Sequence, residues 1–127
     1  MNPIDSHPQR NSIRLKLRRN LVLREMSAAQ WEGLEPLLEI TEYRKGDRLV
    51  RQGDEEMAQV FVLDGMLKRV VSNPQGREMI LRFAAEHDMD TSYAAWRLRT
   101  PVPYSIVAVT NVRTAELPMS KWVEFID

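Results

Sequence analysis

The chain contains no cysteine. Disulfides, iron–sulfur clusters and cysteine-ligated zinc are therefore excluded for these 127 residues. Histidine is nearly as scarce. His7 and His87 are the only two, so a metal site built from several histidines of one chain is excluded as well. Net charge is also missing: 18 Lys and Arg balance 18 Asp and Glu. No global field draws such a chain to nucleic acid or to an anionic membrane. No apolar run is long enough for a membrane-spanning helix, and the opening "MNPIDSHPQR" has no apolar stretch of the kind a secretory leader needs. The expectation is a cytoplasmic chain with no membrane partner. Its length suits one domain with one core.

What is present is heavily punctuated. Residues 1–11 are polar, carry Pro3 and Pro8, and are expected to fray. "SIRLKLRRNLVLRE" follows. Ile13, Leu17 and Leu21 recur every four residues, as on a helix face, although "IRLKLR" also alternates with period two. Arg14, Lys16, Arg18, Arg19 and Arg24 make this segment basic. A solvated face is the plain reading, and contact with nucleic acid or lipid the alternative. Residues 1–25 are read as a tail plus basic helix, and residues 26–127 as the main domain. That domain starts with a capping box, Ser27 and Gln30, with Met26 and Trp31 spaced to form a hydrophobic staple. Pro36 suits the first turn of a second short helix.

From Ile40 the texture becomes that of strands. Lys45-Gly46-Asp47, Gln52-Gly53-Asp54, Asp64-Gly65 and the turn around Gly76 separate runs rich in β-branched and aromatic residues. Asp64-Gly65 between two apolar runs predicts a two-residue hairpin with a type I′ turn. Short strands at this spacing predict an all-β sandwich or roll with short flanking helices. The tail "MSKWVEFID" predicts the opening of a helix, with Trp122, Phe125 and Ile126 on one face.

Taken together, "YRKGDRLVRQGD", "VFVLDGMLKRV", "NPQGREMILRFAAEHDM" and "YSIVAVTNVRTAELPMSKW" resemble the cyclic-nucleotide-binding-domain family. More narrowly, they resemble the sensor domain of Crp/Fnr-type bacterial transcription regulators, from about Leu34 to Ile126. The resemblance implies a mainly β fold, a double-stranded β-helix (jelly-roll) with short N-terminal helices and the start of a C-terminal one. Gly46, Gly53, Gly65 and Gly76 would be its turn residues. It implies an effector-sensing, dimerising domain, a homodimer in the full protein. DNA contact would come only through a further domain not contained in this chain, and the sequence is expected to be a truncated regulator or a stand-alone relic.

In that family a Gly-Glu pair holds the ribose, and an Arg-Ser/Thr-Ala segment holds the cyclic phosphate. Arginine suits the task because its planar fork makes two charge-assisted bonds to phosphate. Here Asp88 matches the aspartate of a Gly-Asp corner, but His87 replaces the glycine. Thr91-Ser92 stands where Gly-Glu would, Val102 where the arginine would, and Pro103 and Tyr104 follow it ahead of Ser105. A hydrogen bond to a charged group contributes about 1.5–3 kcal/mol. Loss of both contacts amounts to roughly two to four decades of affinity. Typical cyclic-AMP binding is therefore not expected, and the identity of any effector is open.

The candidate cassette comprises Thr91, Ser92, Tyr93, Arg97, Arg99, Val102, Tyr104 and Ser105. In a rebuilt pocket Arg97 or Arg99 would be the anion partner of a small-molecule effector. Alternatively, the aromatics Tyr93, Trp96 and Tyr104 pack the cassette against the roll and the arginines face water. Haem through His87 is a further option. Ser92 and Ser105 lack a His-Asp arrangement, so no enzyme is expected. Two other readings are a ligand-free structural or dimerisation module with a degenerate pocket and a cupin-like enzyme.

Overall fold

Alternation along one central strand explains the layering. In β3 (Ala58–Asp64) the side chains of Val60 and Val62 enter one core, and those of Phe61 and Leu63 enter another. Successive residues of a strand face opposite ways, so this strand lies between two layers. The computed structural model describes residues 3–90 and 93–126. The remaining strands are β1 (Glu39–Tyr43), β2 (Arg48–Val50), β4 (Leu67–Ser72), β5 (Glu78–Ala84), β6 (Met89–Asp90), β7 (Ser105–Ala108) and β8 (Val112–Pro118). They form two antiparallel four-stranded sheets, β1-β8-β3-β6 and β2-β7-β4-β5. The fold is a mainly β jelly-roll.

The second core lies outside the β1-β8-β3-β6 sheet, beneath three helices. These are α1 (Arg10–Leu17), α2 (Ala28–Leu34) and α4 (Met119–Ile126), contributing Ile13 and Leu17, Trp31 and Leu34, and Met119, Trp122 and Val123. A fully buried side chain of this size contributes about 1.5–3 kcal/mol. Trp122 meets Phe61 edge-on at 5.5 Å and stacks on Phe125 at 6.1 Å. Helix α2 starts where its sequence dictates. Ser27 Oγ accepts the Gln30 N–H at 3.2 Å, and Gln30 Oε1 accepts the Ser27 N–H at 2.8 Å. Pro36 lies in a short 3-10 turn, Glu35–Leu37.

Three expectations are corrected. Residues 1–11 are not frayed from Pro3 onward. Ile4 is 1% exposed and Pro3 bridges to Glu39, because the second core needs an apolar plug beside α1. Leu21 does not continue the α1 face. It is 68% exposed, since the helix ends at Leu17. There the Asn20 side chain accepts the N–H groups of Val22 and Leu23 and donates to the His87 carbonyl, a local alternative to helical bonding. Third, Asp64-Gly65 is not a two-residue hairpin. β3 pairs with β6 and β8, β4 pairs with β5 and β7, and Asp64 lacks the positive φ that a type I′ turn needs. The corner carries the chain from one sheet to the other. Gly65 is required there twice over. Its φ is +91°, and a Cβ would stand 2.3 Å from the Asn111 carbonyl oxygen.

The basic segment is partly neutralised within the fold. Arg14 pairs with Glu35 at 2.5 Å, Lys16 pairs with Asp64, and the Arg18 guanidinium lies 5.4 Å from the Trp31 ring centre. Burial pushes the Asp64 carboxyl up. The bond from Lys16 and the charge of Arg113, 2.8 Å away, prevail and hold it below its usual value.

Candidate ligand site

The cassette is the connection from β6 to β7, which includes α3 (Tyr93–Leu98). Its entry and its return are both fixed by tight corners. At Arg51-Gln52-Gly53-Asp54 the Asp54 carboxylate accepts the Arg51 N–H at 2.9 Å, and the Asp54 N–H donates to the Arg51 carbonyl at 3.0 Å. The same corner then takes hold of the return segment. The Gly53 N–H donates to the Val102 carbonyl, and the Val102 N–H to the Asp54 carbonyl, both at 2.8 Å. Gly46 and Asp47 grip Ala108 in the same way at 2.8 Å, at the other end of β7. The entry corner, Ala85-Glu86-His87-Asp88, repeats the arrangement, with the Ala85 N–H on the Asp88 carboxylate at 2.9 Å.

Helix α3 ends in a Schellman motif. The Thr100 N–H donates to Ala95 and the Arg99 N–H to Trp96, with Arg99 at φ +56°. This arrangement usually takes glycine, and sequence reading did not anticipate it.

The eight cassette residues separate. Val102 is 1% exposed and its side chain belongs to the inter-sheet core. The Ser105 hydroxyl, 4% exposed overall, accepts the Gln52 N–H at 2.9 Å. Tyr104 is buried, with its ring under a guanidinium. Arg97 and Arg99 are exposed on α3 and at its end. Tyr93 opens α3, and nothing is described of its side chain; Thr91 and Ser92 lie outside the described residues. His87 has φ +74°, and its Nδ1 is buried without a hydrogen-bond partner.

The guanidinium over Tyr104 belongs to Arg69, a residue the sequence reading passed over. It stands 4.0 Å from the ring centre and forms an ion pair with Asp90. The Asp90 side chain is 1% exposed and that of Arg69 18%. Arg69 pairs in register with Ile106 on β7, and Ile106 faces the inter-sheet core, so Arg69 points inward. The signal was available. In "LKRVVS" the inward-facing Leu67 is followed two residues later by an arginine, where alternation calls for an apolar side chain.

A cavity of about 750 Å³ opens elsewhere, beside the β2–β3 connection. Its lining includes Glu39, Asp54, Glu55, Glu56 and Glu116, with Met57 and Trp96 among the apolar members and no Lys or Arg. Carboxylates of this density repel an anionic nucleotide. Glu116 there takes the Tyr43 hydroxyl at 2.7 Å. Burial first, then the Glu116 charge, raise the Tyr43 phenol far above its usual value.

A family model described as the cyclic nucleotide-binding domain matches residues 40–127. No curated protein matches the chain. Among solved structures, the fold is similar to a candidate cyclic nucleotide binding protein of Ruegeria pomeroyi DSS-3, with TM-score 0.81 and 22% identity. That likeness covers 94% of this chain and 52% of the other, so this chain spans about half its length. The sensor domain of the transcriptional regulator DNR from Pseudomonas aeruginosa is similar at TM-score 0.80 and 18% identity, covering 89% of this chain and 75% of that one. The regulatory subunit of a cAMP-independent protein kinase A from Trypanosoma cruzi, bound to guanosine, is similar at TM-score 0.79 and 16% identity, covering 93% and 41%.

Proposed function

The chain belongs to the cyclic nucleotide-binding domain family, and from that premise we propose that it is an effector-sensing domain of a Crp/Fnr-type regulator that does not take cyclic AMP in the usual way. One observation carries the second half. Val102, aligned with the family's phosphate arginine, is a core residue gripped through its backbone by the Gly53-Asp54 corner. Its side chain offers a phosphate no donor. Losing the arginine and glutamate contacts costs roughly two to four decades of affinity. The inward space beside the cassette instead holds Arg69, Asp90 and Tyr104.

The Trypanosoma cruzi neighbour is named as cyclic-AMP-independent and is bound to guanosine. That motivates including nucleosides among the ligands tried. In this reading the domain acts in the cytoplasm, dimerises in the full protein, binds rather than catalyses, and meets DNA only through another segment. Among the described residues no helix is long and apolar enough to cross a membrane.

The internal pair of Arg69 with Asp90 favours one competing reading, a ligand-free structural or dimerisation module, because it supplies a counter-charge that a ligand would otherwise bring. Calorimetric titration with cyclic AMP, cyclic GMP, guanosine and small organic acids separates the two. A sensor should bind one of these saturably, with cyclic AMP weak or absent. Micromolar binding of cyclic AMP contradicts the assignment of Val102. No binding of any ligand in the panel favours the structural module.

A further inference from the structure

The hairpin of β4 and β5 places two arginines side by side. Arg69 and Arg82 are directly opposite in the antiparallel register. Opposite residues share a face, with Cβ atoms about 4.5–5.5 Å apart, and like charges there repel. The face is the inward one, since Arg69 also pairs with Ile106 of the inter-sheet core. Among the described residues, Asp90 is the carboxylate that answers these two charges. Asp90 pairs with Arg69, while among the described residues no ion pair or hydrogen bond holds Arg82, whose residue is exposed. Counted over the described residues, the cluster carries one excess positive charge. It lies on strands rather than on a loop, and Tyr104 supports one guanidinium from below.

Resting on the sensor reading above, we propose that Arg82, with Arg69 beside it, binds a small organic anion through its carboxylate or phosphate. The anion-recognising group would then have moved from the cassette to the hairpin. Guanidinium forks suit both anions, and a shared anion converts the cross-strand repulsion into attraction. Met79, 62% exposed, lies opposite Val71, which packs on the same inter-sheet core, and so offers apolar surface on Arg82's face for the body of such a ligand. The exposed Arg97 and Arg99 take no part.

The test is calorimetric titration of the 127-residue protein at fixed ionic strength with inorganic phosphate, adenosine 5′-monophosphate, benzoate and neutral guanosine. The expected result is saturable binding of at least one anion. Arg82→Gln should weaken it by about tenfold or more, the loss of one bond to a charged group, whereas Arg97→Gln should leave it within about twofold. Because Arg82 is exposed, its variant keeps the fold, as circular dichroism would verify. Phosphate and benzoate distinguish the two anion chemistries. Anion binding unchanged in Arg82→Gln overturns this site and leaves the sensor reading standing, as does binding of guanosine alone. No saturable binding of any of the four overturns both.

Discussion

Three corners of the roll are built on one plan, and one of them departs from it. At Arg44–Asp47, Arg51–Asp54 and Ala85–Asp88 the aspartate carboxylate takes the N–H of the residue three before it, and its own N–H returns to that residue's carbonyl. The third residue has positive φ each time: Gly46 at +92°, Gly53 at +96° and His87 at +74°. The first corner grips β7 at Ala108, and the second grips the segment leading into it at Val102. The third opens the cassette, and there a side chain occupies a conformation that costs most residues about 1–2 kcal/mol. Asn20 holds the His87 carbonyl and Val62 accepts its N–H, so surrounding bonds keep the corner in place. The framework corners thus retain glycine, while the corner that opens the cassette has histidine. A turn can be kept by its hydrogen bonds when its glycine is lost.

The largest effect should come from the position where space as well as φ is restricted. Gly65→Ala adds a Cβ 2.3 Å from a backbone oxygen, and left-handed strain plus overpacking predict a loss of about 2–5 kcal/mol in urea unfolding. A loss below 1 kcal/mol would mean that the corner yields easily. Asp90→Ala should follow, at about 3 kcal/mol, because it removes the carboxylate that answers Arg69 in a mostly buried site. If Asp90→Ala unfolds at the wild-type midpoint, the ion pair does not hold the cassette to the roll. Gly53→Ala meets open space, so only the φ term applies, about 1–2 kcal/mol. The contrast between Gly65 and Gly53 thus separates crowding from conformation.

His87→Gly runs the other way. Restoring glycine should stabilise by about 1 kcal/mol, and it also removes a buried, unpartnered nitrogen. A destabilised variant would show that imidazole packing outweighs the strain. The smallest effect concerns pH. The folded carboxyl of Asp64 is held below its ordinary 3.8. The folded state then binds fewer protons there than the unfolded one, so this contribution is present above about pH 4 and is lost as pH falls through the folded value. Asp64→Asn should flatten the acid limb of the melting temperature against pH. The effect is modest because the side chain is 41% exposed.

The roll itself was legible because its determinants are local. Gly46, Gly53, Gly65 and Gly76 all have positive φ, and turn residues mark their corners without reference to anything distant. The Ser27–Gln30 box is likewise contained within four residues. Asp64-Gly65 misled for the opposite reason. An Asp-Gly pair looks alike whether it closes a hairpin or passes between sheets, and the difference lies in partners far along the chain, β6 and β8 against β5 and β7.

The candidate site was only half visible. That Val102 stands where the resemblance would put an arginine could be read from the sequence, but the inward-facing Arg69 with its carboxylate partner could not. Arg69 and Asp90 are 21 residues apart, and their side chains meet only because β4 and β6 face each other across the roll. The sequence by itself determined the corners and the helix start, since each is set by a residue type at one short spacing. Only the tertiary structure decided that Ile4 is core, that α1 is pinned through Lys16 to a sheet-crossing corner, and that Arg69 stands opposite Arg82 beside a buried carboxylate. Burial and charge pairing depend on which strands become neighbours, and no local spacing encodes that.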